Sequence, residues 1–203
     1  EGKMSSPRQI YSYIKNYFSE KNLVRKKNLS AIVTTGPTRE YLDPVRYISN
    51  ESSGKQGYEI ALALKKLGIK TKLIAGPSNL TASNDLYIKN ITSAKEMMNE
   101  VKKSLPVDIA VCAAAVSDFK PINKSKSKIK KNENNFDKIN LEKNADILDY
   151  LSKNNKARPR LVVGFSAETE NVIQNSKLKI KEKYCDLIIA NDVSGKDTGF
   201  NSD

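Results

Sequence analysis

Apolar residues three and four positions apart open the chain, where Pro7 is followed by Ile10, Tyr13, Ile14, Tyr17 and Phe18. This spacing, with proline in the first turn, predicts an amphipathic helix, and its stripe needs a surface to cover it. Residues 20–30 are polar and basic without a period and read as a linker, so the domain proper is expected to start near Leu29. Strand-like and helix-like stretches then alternate. Residues 31–35 are a β-branched run, and residues 55–67 carry Tyr58, Ile60, Ala61, Leu62, Leu64 and Leu67 at helical spacing ahead of Gly68. Residues 70–75 and 86–91 read as strands, Ser93 caps a helix running through Lys103, and residues 109–115 form a buried strand of small and β-branched side chains. After a lysine-rich gap the pattern returns as a helix over 144–153, a strand over 161–165, a helix over 171–183 and a strand over 187–190. Near-continuous apolar strands alternating with helices predict the α/β class: a Rossmann-like three-layer sandwich, its mostly parallel sheet covered by helices on both faces. Residues 118–141 break the alternation and are read as a lysine-rich flap with short strands around 128–130 and 138–141.

Composition narrows the function classes. A chain of 203 residues suits one filled core. No apolar run approaches the roughly 18 residues of a membrane span, and residues 1–8 lack the basic-then-apolar layout of a signal peptide, so no membrane partner is expected. Cys112 and Cys185 sit inside apolar runs and read as reduced core thiols of a cytoplasmic protein. The net charge of +12 is spread along the chain, densest over 21–27, 124–131 and 177–183, without the interleaved aromatics of a nucleic-acid module. Nucleic acid is therefore not the expected partner. The sequence has no histidine, which leaves lysine, carboxylate, amide and backbone groups to carry any catalysis.

In open parallel sheets, ligands bind beyond the carboxyl ends of the strands. The first strand runs into Gly36, Pro37 and Thr38, then into a loop with Arg39, Asp43, Arg46, Asn50, Ser52 and Ser53 that ends at Gly54. Amides at Ser52-Ser53-Gly54 could hold an anion at a helix start, or the serines could serve as a plain N-cap. Gly36 and Gly54 are eighteen positions apart, unlike the tight glycine turn of a dinucleotide site, and no Walker pattern is present. Asn50 near Arg46 could hold a carboxylate and the anion made from it, although taken alone Arg46 is better read as a loop-to-loop salt bridge. Ala113, Ala114 and Ala115 leave room for a ligand at a strand tip or for a closely packed helix, and Asp118 could accept from hydroxyls or hold a cation. By composition alone, Lys128, Lys130 and Lys131 are a solvated charge run.

Taken together, Thr35-Gly-Pro-Thr-Arg-Glu40, Asp43-Pro-Val-Arg-Tyr-Ile-Ser-Asn50, Ser52-Ser-Gly-Lys-Gln-Gly57, Ala113-Ala-Ala-Val-Ser-Asp118, Lys128-Ile-Lys-Lys131, Gly164-Phe-Ser-Ala-Glu-Thr169 and Ala190-Asn-Asp-Val193 resemble the signature set of the phosphopantothenate–cysteine ligases. The likeness covers about residues 29–203. Gly2-Lys-Met-Ser-Ser-Pro7 is similar to the end of the flavin-dependent decarboxylase that precedes this ligase in the bifunctional bacterial enzyme. Residues 1–28 are accordingly expected to be a decarboxylase remnant and linker, and residues 29–203 a ligase domain that stops short of the family's last sheet element. FMN would belong to the decarboxylase half alone.

The resemblance implies a two-step reaction. CTP, with Mg2+, would activate the carboxylate of 4′-phosphopantothenate as an acyl-cytidylate with release of pyrophosphate, and the amine of L-cysteine would then displace CMP. The substrate, nucleotide, intermediate and pyrophosphate are all anions, which gives the basic surface a purpose. By the same resemblance Asn50 would hold the intermediate, Arg46 would act in the same loop, and Lys128 would neutralise charge from the flap. The nucleotide would meet Gly36, Ser53, Gly54, Ala113, Ala114, Ala115 and Asp118, the turn Asn144, Ala145, Asp146 and Ile147, the ring of Phe165, and Lys179 and Lys183, with Lys177 and Lys181 competing for the last alignment. Magnesium ligands stay unassigned, and a homodimer with the flap near the partner subunit is expected by analogy. Ala145 stands where the family often has proline, Gln56 where methionine is common, and Ser117 and Ser166 where it has alanine. Two rival classes are a nucleotide-cofactor oxidoreductase on the same sheet and a basic nucleic-acid-binding module.

Overall fold

In a computed structural model that describes residues 5–20, 28–79, 86–130, 138–153 and 156–194, the α/β alternation becomes one six-stranded parallel sheet. Its strands are β1 (Ser30–Thr35), β4 (Lys70–Ala75), β5 (Tyr87–Asn90), β6 (Ile109–Cys112), β9 (Leu161–Glu168) and β10 (Leu187–Asp192). The spatial order is β10-β9-β6-β1-β4-β5. The chain leaves β1 in one direction through β4 and β5, then returns to the other side of β1 at β6. That reversal opens a crevice at the β1 and β6 tips, where such sheets bind ligands.

Two apolar layers cover the sheet. Val33, Leu73, Val111 and Val163 face α1 (Pro7–Glu20) and α2 (Lys55–Lys66), whereas Ile32, Ile74, Ala110 and Val162 face α3 (Ala94–Ser104) and α4 (Ile147–Lys153), with α5 (Val172–Lys183) beside them. This is the three-layer arrangement expected from the pattern of strands buried on both faces. The first helix starts with a capping box: Ser6 Oγ accepts from Gln9 N–H and Gln9 Oε1 accepts from Ser6 N–H, with Pro7 at the first helical position. Its buried Ile10 and Ile14 lie against Ile60, Ala63 and Leu64 of α2, each burial favouring docking by about 1.5–3 kcal/mol. No helix among the described residues is long and apolar enough to cross a membrane.

Four elements depart from the sequence expectation. Strand β6 ends at Cys112; beyond it the pairing with the first strand persists only through the amides of Ala113 and Ala115, which donate to the carbonyls of Thr34 and Gly36, and a lone bridge between Pro37 and Ala115. The fourth helix starts at Ile147 instead of Asn144, since Asp146 accepts the amide of Asp149 as a cap and Asn144 is bonded elsewhere. No strand forms at residues 128–130; the backbone there bonds to side chains of the loop after β1. The strand expected over 138–141 begins only at Leu141. Two antiparallel arms project beyond the sheet, of which the reading anticipated only the start of β8: β2 (Arg39–Tyr41) with β3 (Tyr47–Ser49), and β7 (Phe119–Pro121) with β8 (Leu141–Lys143). Runs of three residues are too short for a period-2 signal to declare them. The lysines at 21–27, Lys131, residues 2–4 and the tail over 197–203 lie outside the described residues.

Candidate functional site

The loops after β1 and β4 meet the start of α2 in a crest with no room for side chains. Gly36 and Gly54 have φ of 73° and 76°, the left-handed region where glycine carries no penalty. A Cβ on Gly76 would stand 1.8 Å from the carbonyl oxygen of Pro37, and one on Gly57 2.6 Å from Thr35. Thr35 Oγ1 ties the crest by donating to the carbonyl of Gly54 at 2.6 Å. The helix cap is Gly54 itself, without a side-chain cap bond, while Ser52 and Ser53 accept from the amides of Gly54 and Lys55. The first-turn amides of α2 therefore lie at the crest, the electropositive end of the helix. Gly76→Ala should cost more than about 3 kcal/mol in urea unfolding, because backbone must move to admit the methyl. A cost under about 1 kcal/mol would show that the two loops do not meet this way.

Beside the crest, residues 113–118 form a strip held from both sides. Ala114 N–H donates to Thr34 Oγ1 at 3.4 Å, and Ser117 N–H donates to the buried Thr38 Oγ1 at 3.0 Å. Asn50 Nδ2 donates to the carbonyl of Val116 at 3.0 Å, so the loop amide stands directly at the crook after Ala115. From the opposite side Asn144 Nδ2 donates to the carbonyl of Ser117 at 2.9 Å, and its backbone amide to the carbonyl of Asp118 at 2.8 Å. Asn50, Ala113 to Ala115, Asp118 and Asn144 thus line one continuous feature. The side chain of Asp118 is exposed, as are Ala145 and Asp146, and Ile147 is buried in the core.

The fifth helix closes the far end. Lys179 Nζ donates to the carbonyl of Phe165 at 3.0 Å, and Lys183 Nζ pairs with Asp146 Oδ2 at 2.9 Å. Lys177 and Lys181 are exposed, so the inward face carries Lys179 and Lys183. Burial pushes the Asp146 carboxyl up, but the Asp149 amide and the Lys183 ammonium outweigh it and hold it below its usual range. The same pair raises Lys183. Sequence reading passed over Glu168, whose carboxyl is held low by the hydroxyl of Ser166, then by Asn175 and Lys179. Cys112 is pushed up to about 12, chiefly by burial and then by Asp146, so its thiol stays protonated at neutral pH and is no nucleophile.

Arg46 and the flap form a second unit. Arg46 Nε and Nη2 grip Asp43 Oδ2, and Nη2 also donates to the carbonyl of Ile129 at 2.7 Å. Its guanidinium is thus engaged within the loop and with the flap, next to exposed Lys128 and Lys130. Asp43, fully buried and missed as a site residue, is held far below the usual carboxylate range, first by Arg46. With its folded-state proton affinity depressed, any stability it adds is present above the ordinary carboxylate range and is lost only as pH falls through its much lower folded value. A cavity of about 250 Å³ at the β1, β4 and β5 tips, lined by Thr35, Tyr58, Gly76 and Asn90, contains neither Asn50 nor Asp118. The polar constellation lies on the other side of Gly36.

Residues 26–203 match the family model described as "DNA/pantothenate metabolism flavoprotein C-terminal domain". The chain is similar to the "Coenzyme A biosynthesis bifunctional protein CoaBC" of Haemophilus influenzae, 42% identical over all of this chain and half of that protein. It is 39% identical to the protein of the same name from Vibrio vulnificus, over 99% of this chain and again half of the relative. The chain spans about half the length of the curated relatives it matches. Among solved structures, the C-terminal domain of a CoaBC protein superposes with a TM-score of 0.68 at 35% identity, covering 79% of this chain and 75% of that one.

Proposed function

The chain belongs to the family of the DNA/pantothenate metabolism flavoprotein C-terminal domain, and on that footing we propose that it condenses 4′-phosphopantothenate with L-cysteine through an acyl-cytidylate, a step of coenzyme A biosynthesis. The observation that carries this reading is the hydrogen bond from Asn50 to the carbonyl of Val116. It supports one crevice in which a carboxylate near Asn50 and a nucleotide along residues 113–118 lie side by side, the proximity an acyl transfer between them needs.

The chemistry follows from the groups present. Asn50 is a neutral donor suited to an anionic acyl-nucleotide, and the half-buried Lys179 and Lys183 supply positive charge at the nucleotide end. The amides of Gly54 and Lys55 are taken by Ser52 and Ser53, so the start of α2 contributes to phosphate binding through the positive end of its dipole. Lys128, on the flap, neutralises charge developing as the cysteine amine displaces CMP. Mg2+ fits this set as an ion carried on the triphosphate, with Asp118 the exposed carboxylate of the strip; among the described residues no group of three or more His, Cys, Asp or Glu could hold a metal by itself. Bound there, it would screen the phosphates.

A homodimer is part of the proposal. The two arms pack together through β2 and β7 and expose Val45, Tyr47, Phe119, Ile122, Ile139 and Leu141, an apolar surface a second copy would cover. A cytoplasmic setting accords with two free thiols. The test is product identification by mass spectrometry with each reactant omitted in turn and CTP exchanged for ATP. Phosphopantothenoylcysteine that requires 4′-phosphopantothenate, cysteine and CTP supports the assignment; its absence with every nucleotide removes it.

A further inference from the structure

Asp43 is the most heavily bonded carboxylate in the loop after β1, and its two oxygens have different tasks. Oδ1 accepts the amides of Val45 and Arg46 at 2.8 and 2.9 Å, a local turn that any Asx loop of this type makes. Oδ2 accepts from Arg46 Nε and Nη2 and from the amide of Ile129 at 3.2 Å, across 86 residues of sequence. Arg46 then donates back to the Ile129 carbonyl. Both backbone groups of one flap residue are therefore gripped by one ion pair, whose carboxylate is fully buried and whose guanidinium is one-third exposed. Nearby, Ser125 N–H donates to the carbonyl of Leu42 at 2.8 Å and Lys124 lies 5.2 Å over the Tyr41 ring, so residues 124–129 run along the loop.

The grip has a destination. Ile129 stands between Lys128 and Lys130, and Arg46 is joined to Asn50 by the three residues of β3, about 13 Å of extended chain. We infer that Asp43, acting through Arg46, is a positioning residue that clamps the flap at Ile129 and so fixes Lys128 relative to the crook held by Asn50. The inference rests on the proposed ligase reading for its catalytic consequence, while the clamp itself is a matter of hydrogen bonds. It gives Arg46 the role of holding the flap and leaves contact with the intermediate to Asn50 and Lys128.

Asp43→Asn separates the two oxygens. The amide can keep an acceptor for the turn or for the clamp, but its NH2 then faces donors at the other, so one set of bonds is lost. In the intact chain, Asp43→Asn should speed exchange of the Ile129 amide at least about tenfold while the strand amides of the sheet keep their protection. Product turnover should fall on the order of 10²-fold, with KM for CTP and 4′-phosphopantothenate changed by less than about threefold. Because the clamp works through Lys128, the double variant Asp43→Asn/Lys128→Gln should be no more than about twofold slower than Lys128→Gln alone. Multiplied losses in the double variant, or unchanged Ile129 protection, would overturn the clamp. Should Asp43→Asn fail to fold, Arg46→Lys keeps the charge beside Asp43 but lacks the fork that reaches the Ile129 carbonyl; the Ile129 amide keeps its bond to Asp43, so the coupling result with Lys128→Gln is the one expected of it, and multiplied losses there overturn the clamp. A wild-type chain that makes no product would sink the ligase reading instead, and the exchange experiment would still report on the clamp.

Discussion

Asn50→Asp is expected to lower product formation by about 10²–10³-fold with little loss of stability. The side chain is exposed and spans one hydrogen bond to the Val116 carbonyl, so the fold should change by no more than about 0.5 kcal/mol. Its replacement sets a carboxylate against that carbonyl and against the anion of the proposed first step. Removing a single donor aimed at developing charge already costs about 10²–10³-fold elsewhere, and here a donor becomes a like charge. The readout is kcat/KM for phosphopantothenoylcysteine together with the urea midpoint. Turnover within about threefold of wild type would remove Asn50 from the chemistry.

Lys128→Gln should have a different signature. Lys128 is exposed on the flap and far in sequence from Lys179 and Lys183, so in the proposed reaction activation of the carboxylate should persist while transfer to cysteine slows. Acyl-cytidylate should build up in acid-quenched reactions, with overall turnover down by about 10²-fold or more. Equal slowing of pyrophosphate release and product, with no intermediate detected, would place Lys128 in the first step or outside the site. The contrast with Asn50→Asp, where neither intermediate nor product should accumulate, makes the pair more informative than either variant alone.

Much of the architecture was written in the spacing of apolar residues. Strands such as Ile32–Val33 and Val162–Val163 are buried on both faces, and such runs bounded by helices of 3.6-residue period have few other resolutions than a parallel sheet. The two arms were not legible, because three-residue strands at the tips of loops obey hydrogen-bond opportunities set by the rest of the molecule. The site divides the same way. Asn50, Ala113 to Ala115 and Asp118 could be named because they follow strand ends, whereas Asn144 was named only through the family resemblance; the fold brings them to one strip. Lys179 and Lys183 were separable from Lys177 and Lys181 only by knowing which face of α5 meets the sheet.

Asp43 shows what local reading leaves out. In sequence it is an ordinary turn-forming aspartate before a proline, and its Oδ1 does just that. Its other oxygen reaches Ile129, a partnership visible only once the flap is laid against the loop. Thr38, whose hydroxyl receives the Ser117 amide, belongs to the same kind. Buried polar groups with distant partners carry no periodic signal, yet they decide where a flap or a strip rests.

The shared crevice is tested most directly by rapid-quench measurement of pyrophosphate in the wild-type protein with CTP and 4′-phosphopantothenate and with cysteine left out. A burst of about one pyrophosphate per chain, absent when 4′-phosphopantothenate is omitted, is the expected result, since both reactants must sit together before the amine arrives. Pyrophosphate that appears without 4′-phosphopantothenate, or only after cysteine is added, would contradict it.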